Sequence, residues 1–121
     1  MKIRTSELIG PALDWAVAQC LGKQTLIDHY GAIFIESPGT DSGEYYGWTR
    51  FEPHTNWSHG GPIIEHEVIE LYEHKQLECW AAKSKAGDLR YGPTPLIAAM
   101  RCDLASKLGD EVEVPEELTH G

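Results

Sequence analysis

A chain of 121 residues has the length of one domain and room for one modest core. Its 41% hydrophobic and 24% charged residues describe a globular chain rather than a disordered one. A formal net charge of −9, with the ten Lys and Arg scattered, argues against nucleic-acid binding, and no apolar run approaches the ~20 residues that cross a bilayer.

Lys2 to Thr5 alternates polar and apolar residues and reads as a short edge strand. Pro11 then opens a helix over 11–21, with Leu13, Ala16, Val17, Cys20 and Leu21 on one apolar stripe and Gly22 as the stop. Asp14 and Trp15 fall off the centre of that stripe. Ala32, Ile33, Phe34 and Ile35 predict a buried strand, and residues 37–43 a loop by composition. Tyr45 to Phe51 favours strand residues but is broken by Gly47.

Next comes the densest stretch, Asn56-Trp57-Ser58-His59-Gly60-Gly61-Pro62-Ile63-Ile64-Glu65. Two glycines free the backbone and the proline fixes φ, so Gly60-Gly61-Pro62 is expected to turn the chain, with one helical turn over 63–67. Residues 68–73 and 77–83 predict a hairpin, a continuous helix over 63–82 being the rival. Residues 83–92 are expected to form a loop. Thr94-Pro95 begins the clearest helix, 94–108, with Ile97, Met100, Leu104 and Leu108 on its stripe and Gly109 closing it. From about residue 110 an acidic tail follows, in which Val112, Val114 and Leu118 are able to dock. The expected class is α+β: one domain with a small antiparallel sheet and two main helices, 11–21 and 94–108, packed on it.

Cys20, Cys79 and Cys102 are odd in number and far apart, which suits reduced thiols better than disulfides. Met1 to Thr5 lacks the apolar core of a signal peptide and Glu7 comes too early for one, so a cytoplasmic location is expected.

Three blocks of the chain resemble the NinX-type proteins of lambdoid phages and prophages, a small family without an established activity. They are Thr5-Ser6-Glu7-Leu8 through Leu13-Asp14-Trp15-Ala16-Val17-Ala18; the Asn56 to Glu65 stretch; and Gly92-Pro93-Thr94-Pro95-Leu96-Ile97-Ala98-Ala99-Met100-Arg101-Cys102, continuing through Ala105 to Val112. The resemblance implies a phage accessory product working in the bacterial host cytoplasm. It implies no catalytic residues.

Chemistry is therefore weighed residue by residue. Four of the six histidines, His54, His59, His66 and His74, lie close in sequence. Yet their spacing is irregular, no thiol accompanies them, and Glu70 stands where a zinc-protease helix would carry its second His. No metal and no other cofactor is expected. Ser58 beside His59 lacks a nucleophile elbow, no phosphate loop occurs, and no complete active-site constellation emerges. Ligand binding fits better. Tyr46, Trp48, Trp57 and Tyr91 offer flat faces, and Arg50 and Arg101 suit phosphate or carboxylate. Thr94 opens a helix whose free N–H groups could seat an anion. Ser58, His59 and Glu65 complete the candidate set. For each residue alone a structural role is the stronger reading; the clustering raises the joint case.

The expected function is a non-catalytic binder of a small nucleotide-like or anionic planar ligand, such as a host defence signal that it sequesters. The alternative is a module that occupies a host protein through Trp48 and Trp57. A hydrolase comes third. The narrow helical stripes and an exposed sheet edge lead to the expectation of a homodimer or higher oligomer.

Overall fold

The computed structural model describes residues 1–36 and 47–119. The architecture is α+β: three helices and three small antiparallel sheets around one core. The loop expected over 37–43, and Tyr45 and Tyr46 with it, lie outside the described residues.

β1 (Lys2–Arg4) pairs antiparallel with β8 (Glu111–Glu113), Ile3 opposite Val112, so the two ends of the chain close on each other. β2 (Thr25–Ile27), β3 (Ile33–Glu36) and β4 (Trp48–Arg50) form a second sheet. The third sheet is a meander of β5 (Glu70–His74), β6 (Cys79–Lys83) and β7 (Leu89–Gly92). The sequence thus predicts one sheet where the described residues form three. Every strand has five residues or fewer, and the helices separate the strand groups. The hairpin forms as expected, with Tyr72 opposite Ala81, while the 83–92 loop is corrected by β7. There the chain turns over Ser84–Asp88, where the Asp88 N–H donates to Ser84 Oγ at 3.0 Å, and then pairs with β6.

α1 (Gly10–Cys20) ends as predicted at Gly22, whose φ of +70° completes a Schellman turn. The Gly22 N–H donates to Gln19 O at 3.0 Å and the Lys23 N–H to Ala18 O at 3.1 Å. α3 (Pro95–Leu108) starts on the Thr94 cap, whose hydroxyl accepts from the Ile97 N–H at 3.2 Å. Leu96 through Met100, together with Cys102, Leu104 and Ala105, is buried. This helix is the centre of the molecule: α1, α2 and the β5–β7 sheet all pack on it.

The main correction concerns Gly60-Gly61-Pro62. These residues do not turn the chain; they lie inside α2 (Trp57–Glu67), a third full helix. Asn56 caps it, its side-chain oxygen accepting from the Ser58 N–H at 2.8 Å. Gly60 is there because α2 approaches the 51–56 segment and α3 closely. A Cβ on it would stand 2.6 Å from Leu96 Cδ2 and 2.9 Å from the Pro53 carbonyl oxygen. Pro62 leaves the Ser58 carbonyl without its usual donor four residues on. The helix accepts this loss near its exposed first turns, where α2 is anchored by packing rather than by propensity.

Candidate functional site

Among the depressions that the described residues form, two hold side chains chosen from the sequence together with others from several elements. The first is a cavity of about 270 Å³ between the start of α1, β3 and the segment following β4. Arg50, Glu52 and His54 line it, with Asp14 at its base.

The 50–56 segment that shapes this cavity is held at each step. The Phe51 N–H donates to Ile33 O at 2.9 Å, and the Glu52 N–H to His59 Nδ1 at 2.9 Å. His59, stacked on Phe51 with ring centroids 5.5 Å apart, therefore acts as a latch between α2 and the segment. Its Nδ1 accepts, which places the ring proton on Nε2.

His54 is held most firmly. Its backbone N–H donates to Asp14 Oδ1 at 3.0 Å, and its ring Nδ1 lies 2.6 Å from Asp14 Oδ2. Asp14 is 3% exposed, a carboxylate inside the core of a small protein. Such a group is expensive to bury without partners, and His54 engages both of its oxygens. Burial raises the Asp14 carboxyl above its ordinary range, and the bonds from His54 partly offset this. The hydrogen bond to Asp14 pushes the His54 imidazole up, against a smaller opposing effect of burial. Nε2 of His54 has no hydrogen-bond partner among the described residues. Arg50 spends Nε on Glu52 at 3.2 Å, leaving its two terminal nitrogens without partners among the described residues.

The second depression is an open groove of about 400 Å³ where β7 meets α3 and the start of the chain. Tyr91 and Arg101 line it with Ser6, Glu78, Cys79, Arg90 and Pro93. Arg101 reaches back from α3, donating through Nε to Leu8 O at 2.8 Å and through a terminal nitrogen to Tyr91 O at 3.0 Å. Two bonds to carbonyls fix the guanidinium plane beside the Tyr91 backbone. Burial lowers the Arg101 pKa, opposed in part by Glu7, and an arginine stays charged there. Tyr91 is 38% exposed, its ring meeting His74 edge-on at 5.8 Å.

Of the residues chosen from sequence, Tyr91 and Arg101 meet in the groove, and Arg50 lies on the cavity with His59 behind its wall. The 56–65 and 92–101 segments do meet, but through the packing of Gly60 on Leu96 and Met100 rather than around shared space. Trp48 is half-buried in β4. Trp57, at the first position of α2, is 54% exposed, and Ser58 and Glu65 are also on the surface. None of these four lines either depression. Thr94 is a cap whose hydroxyl is engaged. Tyr46 lies outside the described residues. Sequence reasoning missed His54 and Asp14 as a pair, and Arg90. The one available signal was an aspartate at position 14, next to an apolar stripe, with no cationic residue in the same helix to meet it.

No group of three or more His, Cys, Asp or Glu side chains is arranged to hold a metal among the described residues. Burial pushes the Cys102 thiol up to about 11, which makes it a packing residue.

Among the described residues, three helices and three short antiparallel sheets around one core define a small α+β protein, and no described helix is long and apolar enough to cross a membrane. Residues 4–107 match the family described as bacteriophage P22 NinX, and the chain belongs to that family. No curated protein matches it. Family membership makes it a phage accessory protein.

Proposed function

We propose that the protein binds a small, planar, anionic ligand in the groove between Tyr91 and Arg101, and that it acts by holding this ligand rather than converting it. The observation that carries the reading is that Tyr91, 38% exposed, and Arg101 line one groove of about 400 Å³, with Arg90, whose guanidinium is tied to Leu89 O and Asp110, on the same lining. A tyrosine face stacks on a base or similar ring, and arginine forks meet phosphate oxygens. The volume falls within the range of small-molecule sites. A nucleotide-like signal of the host, sequestered in the host cytoplasm, is the ligand class that this combination suits.

Calorimetric titration with linear and cyclic nucleotides tests the reading. Binding that weakens at least tenfold in Tyr91→Ala supports it; no heat and no thermal shift with any of these nucleotides removes it. A second reading has its own support in Trp57, a large aromatic 54% exposed at the tip of α2. Exposed tryptophans anchor protein interfaces. A host protein, or a second copy of this chain in a homodimer, would cover it. Native mass spectrometry of protein taken from infected cells separates these cases by mass, and Trp57→Ala would release a protein partner but not a nucleotide.

A further inference from the structure

The cavity above Asp14 lies apart from the groove and carries a different chemistry. We propose that His54 is a general base there, directed by Asp14, and that the cavity hydrolyses a small carboxylic ester with Arg50 facing the developing oxyanion. Asp14 bonds both the ring and the backbone N–H of His54, at 2.6 and 3.0 Å. The imidazole is thereby held in position, and in its neutral form the bond to Asp14 places the proton on Nδ1 and the lone pair on Nε2. Nε2 has no hydrogen-bond partner among the described residues, and His54 lines the cavity. A histidine whose only task was to tie α1 to the 50–56 segment could equally have turned its free nitrogen to the protein. Arg50, on the same lining, adds two guanidinium nitrogens without partners among the described residues, while Glu52 holds its Nε.

In the reaction, Nε2 takes a proton from water as the water oxygen bonds to the ester carbonyl carbon. The carbonyl electron pair moves to its oxygen, which Arg50 meets. When the intermediate collapses, the bond to the alkoxy oxygen breaks and the imidazolium returns the proton to it. The products are a carboxylic acid and an alcohol, and His54 ends as it began. One proton carrier suffices for this sequence. An in-line displacement at phosphorus would call for a second acid opposite the base, and the cavity presents none, since the Asp14 carboxylate is spent on His54 and that of Glu52 lies on Arg50. A volume of about 270 Å³ falls just below the usual range of ligand sites and fits an acyl group of few carbons.

The charged groups facing His54 are Asp14 from α1 and, along the 50–52 segment, Arg50 and Glu52. The test is hydrolysis of para-nitrophenyl acetate by the whole protein. His54→Gln, which leaves the other histidines in place, is expected to lower kcat/KM by about a hundredfold, while His29→Gln leaves it unchanged. Arg50→Ala, at an exposed position, is expected to lower kcat more than it raises KM. Asp14→Asn tests the positioning residue through the pH profile: the ionisation that controls the rate should move to lower pH, a shift that a purely structural role would not produce. Should Asp14→Asn fail to fold, the Arg50 and His54 variants still decide. Equal rates in the wild type, His54→Gln and Arg50→Ala would overturn the proposal. Loss of nucleotide binding in Tyr91→Ala would not touch it.

Discussion

The ion pair of Asp14 and His54 gives a pH signature of fixed sign. His54 titrates above its ordinary value of about 6.5 because Asp14 favours the imidazolium. Its contribution to stability is therefore complete below about pH 6.5 and fades as pH rises through the raised value. The raised Asp14 acts in the same direction at lower pH, since a folded state that holds its proton longer loses stability as pH climbs. Melting temperatures of the wild type and His54→Gln, compared from slightly acid to alkaline pH, should converge as pH rises through the raised value. A gap that is constant or widens would show that the pair does not titrate this way. A second outcome at the same scale concerns two adjacent glycines. Gly60→Ala puts a methyl group 2.9 Å from the Pro53 carbonyl oxygen and 2.6 Å from Leu96, and should cost about 1–3 kcal/mol. Gly61→Ala meets nothing within 4 Å and should be neutral or stabilise the helix by up to about 1 kcal/mol. Urea denaturation of the two variants checks both. The sequence made these glycines visible but not their reasons, because close approach is a property of the neighbour, here Leu96 and Pro53, and not of the Gly-Gly pair.

Elements were legible where start and stop signals agreed with periodicity. Thr94-Pro95 and Gly109 bracket α3, and Pro11 and Gly22 bracket α1, because caps and breakers act locally. α2 was hidden because Gly60, Gly61 and Pro62 contradict it locally; Asn56 and the packing on α3 override them. β7 was hidden for a related reason. Its Leu89-Arg90-Tyr91-Gly92 alternation is short and ends on a glycine, and only pairing with β6 makes it a strand. The C-terminus of α2 supplies the prediction at this scale. Val68 has φ +55°, and the Ile69 N–H donates to Ile64 O at 3.0 Å, so a β-branched residue occupies the left-handed position of a Schellman turn. The Val68 side chain is exposed and little packing is lost by removing it. Val68→Gly should raise stability by about 0.5–1 kcal/mol, since the relief of left-handed strain exceeds the added chain entropy. Thermal denaturation reads this directly, and a lower melting temperature would count against it.

At the scale of the whole molecule, the core is one cluster threaded by α3, and α+β with helices 11–21 and 94–108 was readable from the stripes alone. Which side chains share a depression was not. Tyr91 and Arg101 meet because β7 packs on α3, and His54 reaches Asp14 across forty positions of chain, a pairing that no local spacing encodes. The chain ends make the same point. β8 lies beyond the family match at 4–107, yet it closes the fold by pairing with β1. Val114 is 1% exposed, and its N–H donates to Met1 O at 2.9 Å. Ending the chain after Asp110 keeps the bond from the Thr5 N–H to Asp110 O but strips β1 of its partner and uncovers the pocket that holds Val114. Burial of one such valine is worth about 1.5–3 kcal/mol, before the lost ladder bonds are counted. Against a total stability on the order of 5–15 kcal/mol, that is a large fraction. Ending the chain after Pro115 instead retains β8 and Val114 and, among the described residues, removes the exposed acidic turn with the half-buried Leu118 and Thr119. Urea denaturation should therefore separate the two truncations by several times the difference between the longer one and the full chain. Equal midpoints for both would mean that the β1–β8 clasp contributes nothing to the fold it closes.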